Sequence, residues 1–98
     1  MAITTTRDEP TTMTAAVAVR VPEHATGDLL ADAEGRLARV DGVSDVDVDG
    51  FQSIQPRLSA TVVTVSATIE TTHSRSTLQE TLSQTVAVEG IERLERAG

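Results

Sequence analysis

The chain of 98 residues has no cysteine, no lysine, no tryptophan and no tyrosine. Without cysteine it can form no disulfide, no thiolate metal site and no cysteine nucleophile. Phe51 is the single aromatic side chain. A core must therefore be built from Val, Leu, Ile and Ala, and the stacking platforms by which small α/β modules hold single-stranded RNA are missing. No apolar run approaches the roughly 18 residues of a membrane-spanning helix, and Met1 to Pro10 is polar, unlike a secretory leader. These absences set the expectation of a soluble, cytoplasmic protein that does not engage membranes.

What is present is acid. Fifteen Asp and Glu face eight basic residues, all of them Arg, for a formal net charge of -7. No Arg cluster exists to displace counterions from a phosphate backbone, so nucleic acid is not an expected partner. An acidic, lysine-free chain rich in Ala, Val and Thr suits a cytoplasm at molar salt, where charges are screened within about 3 Å and a dense carboxylate surface keeps the protein hydrated. The composition is thus read as halophilic and archaeal, with drift in a GC-rich genome as the alternative source of the Lys-to-Arg bias.

Ninety-eight residues support one modest core. Residues 1–12 are Thr-rich and polar and read as a disordered arm, leaving residues 13–98 as a single α+β domain. Two halves of that domain match at an offset of 48 positions: Val17 falls on Val65, Val21 on Ile69, Leu30 on Leu78, and Val40-Asp41-Gly42-Val43 on Val88-Glu89-Gly90-Ile91. In the first half, Met13, Ala15, Val17, Val19 and Val21 alternate with Thr14, Ala16, Ala18 and Arg20, the period of a half-buried strand. Leu30, Ala33, Leu37 and Val40 then recur at helical spacing. Gly42 supplies the left-handed position after a helix, and Val46 and Val48 restore the period of two.

The second half repeats the plan. Val63, Val65, Ala67 and Ile69 point inward. Ser76 to Gln79 reads as a capping box for a helix carrying Leu78, Leu82 and Val86, and Gly90 closes it. Residues 91–97 read as a last strand, although Ile91 and Leu94 also suit a continued helix. Two such units predict a ferredoxin-like β-α-β-β-α-β sandwich, a four-stranded antiparallel sheet with two helices on one face. Gly50 to Pro56 is expected to be the irregular connection between the second and third strands.

Candidate chemistry is sparse. Asp45-Val-Asp47-Val-Asp49-Gly50 matches the opening of a calcium loop, but the twelfth position, where a bidentate Glu belongs, is Pro56. The same three aspartates also form the wet side of a strand. His24 and His73 occupy nearly equivalent places in the two halves, at opposite ends of the predicted sheet. There is no Gly-x-Ser-x-Gly elbow, no phosphate-cradling glycine loop and no cofactor motif, so neither an enzyme nor a bound cofactor is expected.

The side of the sheet away from the helices carries an unusual pattern. Its middle positions, Ala16, Ala18, Thr64, Ser66 and Thr68, bear no charge, with Arg20 and Glu70 toward the ends. A solvated sheet face normally presents charges, so these residues are the predicted interface, either for a homodimer or for a protein partner. Pairing through the edge of the second strand is the rival geometry, opposed by the self-repelling Asp45, Asp47 and Asp49.

Val21-Pro-Glu-His-Ala-Thr-Gly27-Asp-Leu29 resembles the first strand-to-helix loop of ACT-like regulatory domains, in which a Gly-x-Leu follows the first strand and loop amides hold a small effector. The resemblance implies a small-molecule site at His24, Thr26, Gly27 and Asp28. The patterns at Val40 to Val48 and Val88 to Leu94 equally resemble metallochaperone domains of this architecture, whose Cys pair this chain lacks. Two readings follow: a small non-catalytic, self-associating binding or assembly domain, and an ACT-like ligand sensor.

Overall fold

A computed structural model describes residues 10–23 and 28–97. The elements run β1 (Thr11–Pro22), α1 (Leu29–Ala38), β2 (Val43–Pro56), β3 (Ala60–Thr71), α2 (Arg75–Ser83) and β4 (Val88–Arg96). The four strands form one sheet in the order β2-β3-β1-β4, and every neighbouring pair is antiparallel. This is an α+β architecture. Val17 and Val65, which match across the two halves of the sequence, are also register partners in the central β1-β3 pair. They therefore mark the point about which the two halves are related.

One side of the sheet is dry. Met13, Val17, Val19 and Val21 of β1 and Val63, Val65, Ala67 and Ile69 of β3 pack with Ala33 and Leu37 of α1 and Leu78 and Leu82 of α2 in a single core. Both helices therefore cover the same face, as the alternation in β1 and β3 requires. α1 begins where the Asp28 carboxylate accepts from the Leu30 N–H at 2.9 Å, satisfying one of the orphan donors of the first turn. Gly42, at φ 84°, turns the chain into β2 as expected.

Several boundaries differ from the sequence pattern. β1 starts at Thr11, two residues ahead of the apolar alternation, because Thr11 and Thr12 pair with Thr71 and Glu70. α2 is capped by Ser74, whose Oγ accepts from the Thr77 N–H at 3.3 Å, so Ser76 lies inside the helix. That helix ends at Ser83, and Val86, placed on its apolar stripe by spacing alone, is 94% exposed. Gly90 does not terminate it. Because β4 opens at Val88, Gly90 lies within the strand opposite Ala18, and residues 91–96 are strand.

The largest difference is in β2. Gly50 to Pro56 is not a loop: it continues the strand to a total of 14 residues, and the connection to β3 is the short turn Arg57–Ser59. Register shifts against β3 fall between Val43 and Asp45, between Val48 and Gly50 and between Phe51 and Ser53. Each adds one residue to β2. As a result Val46, Val48, Phe51 and Ile54 stand opposite Ile69, Ala67, Val65 and Val63, all on the helix side. The apolar spacing of two, then three, then three is a strand pattern interrupted by two bulges.

Candidate functional site

The helix-free face is a trough rather than a plane. Its floor is formed by Ala16 and Ala18 of β1, opposite Ser66 and Thr64 of β3, with Thr14 opposite Thr68 one step further on. Although no helix covers them, Ala16 is 3% and Thr64 5% exposed. Longer side chains on the flanking strands account for this. Gln52 Nε2 of β2 donates to Ser66 Oγ at 3.2 Å, and Thr68 Oγ1 donates to Asp49 Oδ2 at 3.4 Å, so the β2 rim leans over the floor. On the other side Arg93 and Glu95 stand opposite Ala16 and Thr14. The predicted interface residues Ala16, Ala18, Thr64, Ser66 and Thr68 are thus contiguous, as the alternation demanded, with Ala16 and Thr64 buried and Ala18, Ser66 and Thr68 half-buried.

At one end the trough deepens to a hollow of about 280 Å³ among Ala18, Ser53, Gln55, Val62, Thr64 and Gly90. Glu89 closes that end, held by Arg20 at 3.1 Å and Arg57 at 3.8 Å. These pairs are largely solvated and are worth about 0–1 kcal/mol each. With Glu92, which also lines the hollow, two arginines and two glutamates leave this end without net charge, and the floor itself carries none.

Asp45, Asp47 and Asp49 lie in extended β2 and are exposed. A calcium loop must curl so that alternate carboxylates converge, whereas a strand spreads them along its length. Among the described residues no three His, Cys, Asp or Glu groups come together as a metal site. Of the residues implied by the ACT-like resemblance, His24, Thr26 and Gly27 lie outside the described residues. Asp28 is placed, and its carboxylate caps α1.

His73 has a structural setting. Its backbone N–H donates to Thr71 Oγ1 at 3.0 Å, and Thr71 Oγ1 donates to the Gly42 carbonyl at 2.7 Å. The imidazole rests directly on Gly42, where Nε2 is buried without a hydrogen-bond partner among the described residues. The assembly ties the end of β3 to the turn between α1 and β2.

Sequence reasoning missed Phe51, Ile54 and Leu58, which are 53%, 43% and 100% exposed. The available signal was the recurrence of Phe51 and Ile54 at steps of three after Val48, beside Gly50, a residue often found at bulges. A second groove, about 420 Å³, lies along the helices between Arg36, Arg39 and Val40 on one side and Thr81, Thr85 and Val86 on the other. No helix among the described residues is long and apolar enough to cross a membrane. No protein-family model matches the chain, and no curated protein matches it.

Proposed function

We propose that this chain is a small, non-catalytic binding and assembly domain of the ferredoxin-like sandwich class, working in a halophilic archaeal cytoplasm and docking a protein partner in the open trough of its sheet. The observation that carries this reading is the uncharged, hydroxyl-lined floor between polar rims. Small side chains lose little rotamer entropy when a partner orders them, and hydroxyls can pair directly or through trapped water, so a strand or ridge entering the trough leaves no stranded polar group.

The test is retention of host proteins, in molar KCl, by immobilised native chain and by Ala18→Glu and Ser66→Glu variants. One polypeptide held by the native chain and released by both variants supports the trough. Equal retention by all three removes it. A small-ligand sensor would behave differently: amino acids or nucleotides would raise the melting temperature of the native chain and of Ala18→Glu alike, by mass action.

The halophilic part of the proposal has its own measurement. Among the described residues Asp45, Asp47, Glu92 and Glu95 are exposed and take part in no ion pair. Screening their mutual repulsion should raise the denaturation midpoint steadily from dilute buffer to molar KCl. A midpoint that stays flat or falls over that range contradicts the reading.

A further inference from the structure

The outer edge of β2 changes character along its length. Its first half carries Asp45, Asp47 and Asp49, and the Val48 N–H donates to Glu34 Oε2 of α1 at 3.0 Å. Charge and a side-chain plug both protect that half from pairing with another strand. From Gly50 to Pro56 there is no charged residue, α1 leaves Phe51 and Ile54 half exposed on the helix side, and the proline comes only at the end of the strand. A long, uncharged edge with exposed apolar side chains is a template for strand addition.

We infer that this edge pairs antiparallel with the same segment of a second copy of the chain, about a two-fold axis between Gln52 and Ser53. The inference rests on the reading of the chain as an assembly domain, and it assigns self-association to a surface separate from the trough. Register selects the occupant. Phe51 and Ile54 lie on the helix side, while Gly50, Gln52, Ser53 and Gln55 lie on the open side, opposite Ser66, Thr64 and Val62 or bonded to Ser66. Directly opposed residues in antiparallel strands must share a face.

Two self-pairings near this segment satisfy that condition. One sets Phe51 against itself and Ile54 against Val48, where Glu34 already occupies the backbone donor. The other sets Phe51 against Ile54, Gln52 against Ser53 and Gly50 against Gln55, with each relation repeated by symmetry. The product is one continuous sheet with both troughs opening on the same side.

The experiment uses the full chain in molar KCl. The native protein is expected to sediment as a dimer, and Phe51→Glu and Ile54→Arg should each weaken it by at least about a hundredfold, as removal of a central apolar anchor does. Ala18→Glu should leave the dimer intact. The register is read by cysteine pairs, since the native chain has none. Opposed residues sit about 4.5–5.5 Å apart between Cα atoms, within disulfide range. An oxidised mixture of Phe51→Cys and Ile54→Cys chains should therefore cross-link, while neither variant alone does.

A native chain that stays monomeric to millimolar concentration overturns the inference. So does a dimer indifferent to both edge substitutions, or cross-linking by a single cysteine variant but not by the mixture. Failure of the trough reading looks different, because Ala18→Glu would then keep its host partner while the edge results stand unchanged.

Discussion

Gly42→Ala is expected to destabilise the domain by about 3 kcal/mol, the sum of a strained left-handed backbone and an overpacked neighbour. Gly42 sits at φ 84°, and a Cβ there would overlap both Cδ2 and Nε2 of His73. The ring must therefore leave its seat. It cannot do so freely, because the His73 backbone is tethered to Thr71 Oγ1. The Gly42 carbonyl in turn accepts from Thr71 Oγ1 at 2.7 Å and from the Thr72 N–H at 3.1 Å. Moving the turn strains both bonds where β3 meets the start of β2. Two controls separate the causes. Gly35→Ala lies on the exposed side of α1 with no atom within 4 Å, and should gain about 0.5–1 kcal/mol from helix propensity. Adding His73→Ala to Gly42→Ala should recover the packing part and leave a backbone cost of roughly 1–2 kcal/mol. Urea titration of the four proteins decides it, and equal midpoints for Gly42→Ala and Gly35→Ala would remove the His73 contact from the account.

The parts of the fold that sequence made legible are those where one periodicity runs unbroken. β1 and β3 alternate cleanly, so their dry faces, and hence the position of both helices, follow from the period of two. Gly42 was legible because a helix followed by a strand needs one residue with positive φ. β2 was only half legible. The two bulges beyond Val48 turn a spacing of two into a spacing of three, which mimics loss of order, and a bulge is set by pairing with β3 rather than by residues local to β2. The end of α2 was misjudged for a related reason. Val86 keeps helical spacing with Leu82, but Gln84 is already the C-terminal cap, its N–H bonding back to Glu80 and Thr81 carbonyls.

The candidate interface divides along the same line. Ala16, Ala18, Thr64, Ser66 and Thr68 were identifiable because they are the complement of a clear apolar face. Their sinking into a trough was not, since it depends on the reach of Gln52 and Asp49 from a neighbouring strand whose register is shifted. The case against edge pairing drew on three aspartates that protect only the first half of β2. Once the strand is seen to continue to Pro56, the uncharged second half becomes the more exposed liability, and a face for one partner and an edge for another copy can coexist on a single sheet.

Leu82→Ala is expected to cost about 3–4 kcal/mol and Leu78→Ala a similar amount, in the middle of the range for buried leucines, whereas Val86→Ala should fall within about 0.5 kcal/mol of the native chain. α2 is only nine residues long and buries just these two leucines. A helix so short has no stability of its own in water and exists because its apolar stripe is packed. Its remaining surface offers little help: the Thr81 and Ser83 hydroxyls bond back to carbonyls four residues earlier, an arrangement that slightly destabilises helices. The other tie to the sheet is Arg75 Nε donating to the Leu94 carbonyl at 2.6 Å, which holds the first turn and leaves the last dependent on Leu82. Both leucines are completely buried beneath β1, β3 and β4 side chains, so either truncation leaves a cavity that β-strands cannot collapse to fill. Against a total stability of about 5–15 kcal/mol for a domain of this kind, the loss is large enough to shift the urea midpoint well outside error. Val86 keeps the same sequence spacing but is bathed in solvent. A Val86→Ala variant as costly as Leu82→Ala would mean that the helix runs on past Ser83 and that β4 begins later than Val88.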